Sequence, residues 1–118
     1  MQYVLLIYGD ERHWSTLSEA ERGKILEEYG QFSQSIAKSG HYRAGNELDA
    51  TSKATTVRVR DQKRLVTDGP FAETKEQLGG YYLIEAKDLD EALGVAARIP
   101  SVRWGAIEVR PIIPHEMP

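Results

Sequence analysis

Cysteine is absent from all 118 residues. Disulfides, zinc–thiolate sites, iron–sulfur clusters and cysteine nucleophiles are thereby excluded. Long apolar runs are missing as well. The mean hydropathy is −0.48, and no stretch approaches the roughly 20 apolar residues that a membrane-spanning helix requires. The opening Met-Gln-Tyr-Val-Leu-Leu-Ile-Tyr-Gly-Asp-Glu has no basic leader, and its apolar part is too short for a secretory signal. The expectation is a cytoplasmic protein without a membrane partner. Positive charge is not in excess: 15 Lys and Arg stand against 18 Asp and Glu, a formal net charge of −3. Such a chain lacks the basic field behind non-specific nucleic-acid binding, so no nucleic-acid partner is expected. A local cluster of Arg58, Arg60, Lys63 and Arg64 sits beside Asp61 and reads as a solvated hairpin. The sequence has no phosphate-binding loop, dinucleotide fingerprint or serine nucleophile elbow, and no cofactor is expected.

The length fits one domain, residues 1–118, large enough to bury a core without a covalent or metal staple. Residues 3–8, Tyr-Val-Leu-Leu-Ile-Tyr, are continuously apolar but too short for a helix, and they stop at Gly9-Asp10; they read as a strand covered on both faces. Ser18 and Glu21 have capping-box spacing. Ile25, Tyr29, Phe32 and Ile36 then form one helical stripe, and Gly40 stands where a left-handed cap belongs, which predicts a helix over 18–39. Residues 41–48 read as a weaker strand. Val57 and Val59 alternate with Thr56, Arg58 and Arg60 in a strand over 54–60, which returns over 64–67 as a hairpin. A further strand spans 80–86. Asp88 and Glu91 start a second helix with a stripe of Leu89, Ala92, Leu93 and Ala96, stopped by Pro100, and a last strand covers 104–110. The prolines after residue 110 predict an extended or frayed tail.

Two β–α–β units sharing one sheet predict an α+β, ferredoxin-like sandwich. In that topology the first strand and the strand before the second helix lie centrally, and these are the two strands that are apolar on both faces. Two helices cover only one face. The other face would expose an apolar patch, so a homodimer through the open sheet face is expected.

Residues 54–86 contain Ala-Thr-Thr-Val-Arg-Val-Arg-Asp and then Val-Thr-Asp-Gly-Pro-Phe-Ala-Glu-Thr-Lys-Glu-Gln-Leu-Gly-Gly-Tyr-Tyr-Leu-Ile-Glu-Ala. This segment closely resembles the YCII-related family, in its branch named after the Asp-Gly-Pro-Phe motif, here Asp68–Phe71. The opening strand, the long helix, the Asp88-Leu-Asp-Glu-Ala start and the Glu108-Val-Arg-Pro-Ile ending extend the likeness to nearly the whole chain. The resemblance implies a dimeric α+β barrel and, in general, a small-molecule enzyme; one relative removes chlorine from an aromatic ring. In shorter members a His–Asp pair, with its histidine on the first helix, has been proposed as the catalytic centre. Here that helix has no histidine and carries Tyr29 and Phe32 at its facing positions. The resemblance also implies a link to extracytoplasmic-function sigma factors.

The Asp68-Gly69-Pro70-Phe71 motif admits two readings. Asp68 is the candidate catalytic acid or base at a pocket mouth; alternatively the motif is turn chemistry, with Phe71 anchoring the loop. Glu73 and Lys75 lie two apart, on one side of an extended segment, and either bind a polar ligand or form a solvated pair. Gly79-Gly80 reads as a bulge or a close backbone approach. Tyr8, Phe71 and Tyr82 complete the candidate ligand-binding set, with core packing as the alternative for the tyrosines. His13, beside Trp14, reads as loop surface; His13, His41 and His115 share no metal-ligand spacing, and no metal is expected. The two functional expectations are a small-molecule-binding dimer with cofactor-free acid–base chemistry of lyase or isomerase type, and a non-catalytic sensing or interaction module. The second would use the tail residues Ile112, Ile113 and Met117.

Overall fold

Every predicted strand and both predicted helices are present in the computed structural model, which describes residues 1–115. The chain runs through β1 (Gln2–Gly9), a short α1 (Arg12–Thr16), the long α2 (Glu19–Lys38) and β2 (Tyr42–Glu47). It continues through β3 (Thr55–Arg60), β4 (Lys63–Asp68), β5 (Gln77–Glu85), α3 (Leu89–Ala96) and β6 (Ala106–Pro111). Four strands form one sheet in the order β2-β5-β1-β6, with every neighbouring pair antiparallel. β1 and β5 are the central strands, as their double-sided apolar pattern predicts. This arrangement is compatible with a ferredoxin-like α+β fold. β3 and β4 stand apart as a separate two-stranded sheet.

Local chemistry sets the helix ends. The Ser18 hydroxyl accepts from the Glu21 backbone N–H at 3.1 Å, and the Glu21 carboxylate accepts from the Ser18 N–H at 3.0 Å. Two backbone donors that the helix leaves open are thus satisfied reciprocally. Gly40 follows α2 with φ +85°, a conformation that side-chain-bearing residues rarely adopt. On the helical side of the sheet, Tyr3, Leu5, Ile84 and Ala86 meet Phe32 and Ile36 of α2 and Ala92, Val95 and Ala96 of α3. Leu5, Ile36, Ile84 and Ile99 are fully buried, each stabilising the fold by about 1.5–3 kcal/mol relative to exposure.

Four expectations change. The buried stripe of α3 is Ala92, Val95 and Ala96; Leu89 and Leu93 are about half exposed. The helix is rotated so that its small residues, not its leucines, lie on the sheet. β5 starts at Gln77, three residues early, because Leu78 already pairs with Tyr8 of β1. Pro111 belongs to β6, where it lies opposite Tyr3, and the ladder continues with Ile112 N–H to Gln2 C=O at 2.9 Å. Pro111 is tolerated because β6 is an edge strand. His13 lies in α1, not in a loop, and stacks on Trp104 with ring centroids 5.1 Å apart. Of the tail residues, Met117 lies outside the described part of the chain.

Among the described residues, no helix covers the second face of the sheet. Register places Val4 and Leu6 of β1 beside Leu83 and Tyr81 of β5, with Glu108 and Arg110 of β6 on their other side. All four apolar residues are only half-buried.

Candidate functional site

The site begins with an irregularity in the central strand pair. Ile7 faces Gly80, but the next residue, Tyr8, faces Leu78, so Gly79 is bulged out of the ladder. A bulge re-aims the side chains beside it. Tyr8 and Leu78 therefore come to the end of the sheet as a pair. Gly80 itself is held close: a Cβ there would sit 3.0 Å from the Asn46 carbonyl oxygen. Both readings of Gly79-Gly80, bulge and close approach, are realised.

Tyr8, Gln77 and Leu78 form the floor of a cavity of about 620 Å³. One wall is the segment Leu48–Ala54, and the opposite wall runs from Pro70 to Thr74. Side chains from distant parts of the chain hold the first wall. The Glu11 carboxylate accepts from the Thr51 N–H at 2.7 Å and from the Thr51 hydroxyl at 2.9 Å, across 40 residues. The Gln77 amide oxygen accepts from the Glu11 N–H at 3.0 Å. A 3-10 turn at Thr51–Lys53 then leads into β3. The second wall is tied to the first where the Gly69 N–H donates to the Ala54 carbonyl at 2.8 Å. The Thr56 hydroxyl donates to the Gly69 carbonyl at 2.8 Å. Gly69 has φ +100°, so a glycine is needed at this crossing. The Arg58 guanidinium lies 5.3 Å from the Phe71 ring centroid and holds that largely exposed ring at the rim.

The predicted site residues are divided by this geometry. Tyr8 and Phe71 line the cavity. Asp68 ends β4 opposite Thr55, exposed at the hairpin root and outside the lining. Glu73 and Lys75 flank the lining residue Thr74 and are exposed. Tyr82 lies on the other face of the sheet, against α2: its hydroxyl shares a 2.8 Å hydrogen bond with the Ser33 hydroxyl, and its ring meets Phe32 edge-on at 5.2 Å. Burial raises the Tyr82 pKa, and burial likewise raises that of Tyr29, whose hydroxyl bonds Ser101. Gly45 leaves room for the Tyr82 ring; a Cβ there would be 2.8 Å from it.

Sequence reasoning missed Leu48, Ala50, Thr51, Gln77 and Leu78. For Leu78 a signal existed in the adjoining glycine pair. For the 48–54 wall there was none, because Glu11 organises it through space. His41 also has a partner that its sequence neighbourhood hides. Its Nδ1 is 2.6 Å from the Ser39 hydroxyl, and its Nε2 is 3.6 Å from the Glu91 carboxylate.

Chemically, the cavity is mainly an apolar surface with a phenol at its floor and Asp49 and Lys53 on one wall. It suits a small, largely apolar molecule with one polar group. Among the described residues, no three His, Asp or Glu side chains are grouped to hold a metal ion.

Asp10, beside the site, and Glu28 and Glu91, away from it, carry a pH dependence. Hydrogen bonds from the Arg12 side chain (2.7 and 3.0 Å) and from the Arg12 backbone N–H (2.9 Å) hold the Asp10 pKa down at about 2. Arg103 lowers the Glu28 pKa through a 2.7 Å contact, and the Lys87 N–H, followed by His41, lowers that of Glu91. Each folded-state pKa lies below its unfolded value. The associated stability is present above the unfolded pKa and is lost as pH falls through the folded one. Thermal midpoints are expected to decline from about pH 5 to about pH 2, and less steeply for Asp10→Asn. Circular dichroism melts across that window check this; parallel curves for the two proteins would contradict it.

The family model for the YCII-related domain matches residues 1–116. An uncharacterized protein of Rhizobium meliloti (strain 1021) is 37% identical over 123 aligned positions, which span 100% of this chain and 99% of that protein.

Proposed function

We propose, from the premise that this chain belongs to the YCII-related family, that it is a small-molecule-binding protein of the Asp-Gly-Pro-Phe branch and works as a homodimer. The observation that carries the reading is the open, mainly apolar cleft of about 620 Å³ lined by Tyr8, Leu78 and Phe71. Its volume falls in the range of ordinary ligand sites. The ligand class is a compact apolar or aromatic molecule with one hydrogen-bonding group for the Tyr8 hydroxyl. Binding is better supported than catalysis. The candidate acid–base residue Asp68 stands outside the lining, so acid–base chemistry would require the Asp68–Lys75 segment to close over a bound molecule. The dimer part of the reading rests on the open sheet face, where Val4, Leu6, Tyr81 and Leu83 need covering.

Native mass spectrometry of gently purified protein tests both parts. The expected spectrum is a species of twice the 13.3 kDa chain mass that carries a discrete small-molecule adduct. Phe71→Ala and Tyr8→Ala should remove the adduct, whereas Glu73→Ala should keep it. Loss in Asp68→Ala as well would support closure of the segment. A chain that remains bare through a thermal-shift screen of small aromatic and aliphatic acids, alcohols and amides would overturn the binding reading. A 13.3 kDa species at micromolar concentration would overturn the dimer.

A further inference from the structure

We propose that Glu11 and Gln77 are positioning residues that hold the two walls of the cleft at a fixed separation and so select the shape of apolar molecule it admits. The selection rests on the binding reading above; the fixed separation does not. Neither wall has much regular structure of its own. Residues 48–54 carry only the 3-10 turn Thr51–Lys53, and residues 69–76 carry neither helix nor strand. Backbone bonds pin them near their ends: the Leu48 N–H donates to the Gly79 carbonyl at 2.9 Å, and the Gly69 N–H to the Ala54 carbonyl at 2.8 Å. Among the described residues, the Ala50 and Lys53 N–H groups donate only within the first wall itself. Surface segments of this kind open at low free energy unless their middles are tied down.

One continuous run of hydrogen bonds supplies the ties. The Glu11 carboxylate accepts from the N–H and the hydroxyl of Thr51, in the middle of the first wall, at 2.7 and 2.9 Å. The Glu11 N–H donates to Gln77 Oε1 at 3.0 Å. Gln77 Nε2 then donates to the Thr74 carbonyl, in the second wall, at 2.6 Å. Both walls are thus held from the same two residues. Gln77 itself lies opposite Gly9 in the ladder of the central strands β1 and β5, so the run is anchored on the sheet.

Chemistry assigns the role. A carboxylate acceptor makes the Thr51 bonds charge-assisted, stronger than bonds between neutral groups. Both Glu11 carboxylate oxygens and both ends of the Gln77 amide are engaged within the run. Glu11 is also outside the lining of the cleft. Its contribution to a bound molecule is therefore geometric: it sets where the first wall stands. Recognition by shape needs walls whose positions are locked by such supporting bonds.

Pulsed dipolar spectroscopy on the full chain tests the separation. The sequence has no cysteine, so nitroxides on Ser52→Cys and Glu73→Cys mark one exposed position on each wall, outside the lining. Dilution into unlabelled protein restricts the reading to pairs within one chain. The distance distribution should be about twofold broader in Glu11→Ala than in the parent. Gln77→Glu keeps the acceptor for Glu11 but loses the donor to Thr74, and it should broaden the distribution as well. Glu11→Gln, with one acceptor oxygen left, should fall between parent and Glu11→Ala. Equal widths in all of them overturn the proposal. Selection is read by calorimetry on the unlabelled protein with two alcohols of equal carbon count, flat 2-naphthol and globular 1-adamantanol. The ratio of their dissociation constants should move about threefold towards one in Glu11→Ala. Broadened walls with an unchanged ratio also overturn the proposal, because Glu11 then only stabilises a loop. A wild type that binds neither alcohol overturns the selection and counts against the binding reading, while the widths still decide whether Glu11 and Gln77 fix the walls.

Discussion

Gly105→Ala is expected to destabilise the protein by about 3 kcal/mol and to displace Tyr8 from the cavity floor. A Cβ at position 105 would lie 2.1 Å from the Tyr8 carbonyl oxygen, 3.2 Å from its carbonyl carbon and 3.3 Å from the Gly9 Cα. All three are backbone atoms of β1, so no side chain can rotate away. Relief requires β6 to separate from β1 where Ala106 pairs with Tyr8. Overpacking of this kind costs about 1–3 kcal/mol, and loss of a ladder hydrogen bond adds about 1. That is a large share of the 5–15 kcal/mol typical of a whole domain. Gly30→Ala is the matched control. It lies inside α2 with nothing within 4 Å of the added Cβ, and helix propensity favours the change by up to about 1 kcal/mol. Urea unfolding of the two variants should therefore move in opposite directions. A Gly105→Ala midpoint equal to that of wild type would refute the close approach. Loss of any adduct in Gly105→Ala, with the fold retained, would show that the two ends of the chain meet to build the site.

Ile84→Ala should cost about 2–5 kcal/mol, the range for truncating a fully buried aliphatic side chain. Ile84 has no exposed surface and lies in central strand β5, opposite Tyr3 of β1 and Tyr42 of β2. With neighbours on three sides, the vacancy has little room to collapse. At about 4 °C per kcal/mol for a chain of this size, the thermal midpoint should fall by about 8–20 °C. Leu89→Ala removes a larger-looking member of the apparent α3 stripe, yet Leu89 is 49% exposed. Its truncation should stay within about 0.5 kcal/mol in the monomer. Melts that ranked the two variants in the reverse order would mean that α3 faces the sheet as its leucine spacing suggests.

These contrasts mark where periodicity stops being informative. The α2 stripe was legible because Ile25, Phe32 and Ile36 are large and, Leu26 apart, the other faces of the helix carry mostly polar or small residues. The α3 stripe was not, because this helix of eight residues offers apolar side chains on more than one side. There, close approach to the sheet selects Ala92 and Ala96 over the leucines. Asp68 illustrates the same limit at the site. Its motif marked the right turn, and Gly69 and Pro70 shape that turn, but only the path of the chain decided that Phe71 lines the cavity while Asp68 does not.

By itself, the sequence determined what depends on neighbours along the chain. The Ser18–Glu21 cap, the glycine crossings at Gly40 and Gly69, the bulge at Gly79, the order of elements and the apolar central strands all follow from local sterics, hydrogen bonding and side-chain period. Tertiary structure decided the rest: the Glu11–Thr51 clamp across 40 residues, the Gly105–Tyr8 contact, the placement of Tyr82 behind the sheet and the separation of the β3–β4 hairpin from the main sheet. These depend on which segments meet in space, and that is settled by burying the whole apolar surface at once, a constraint that no local window contains.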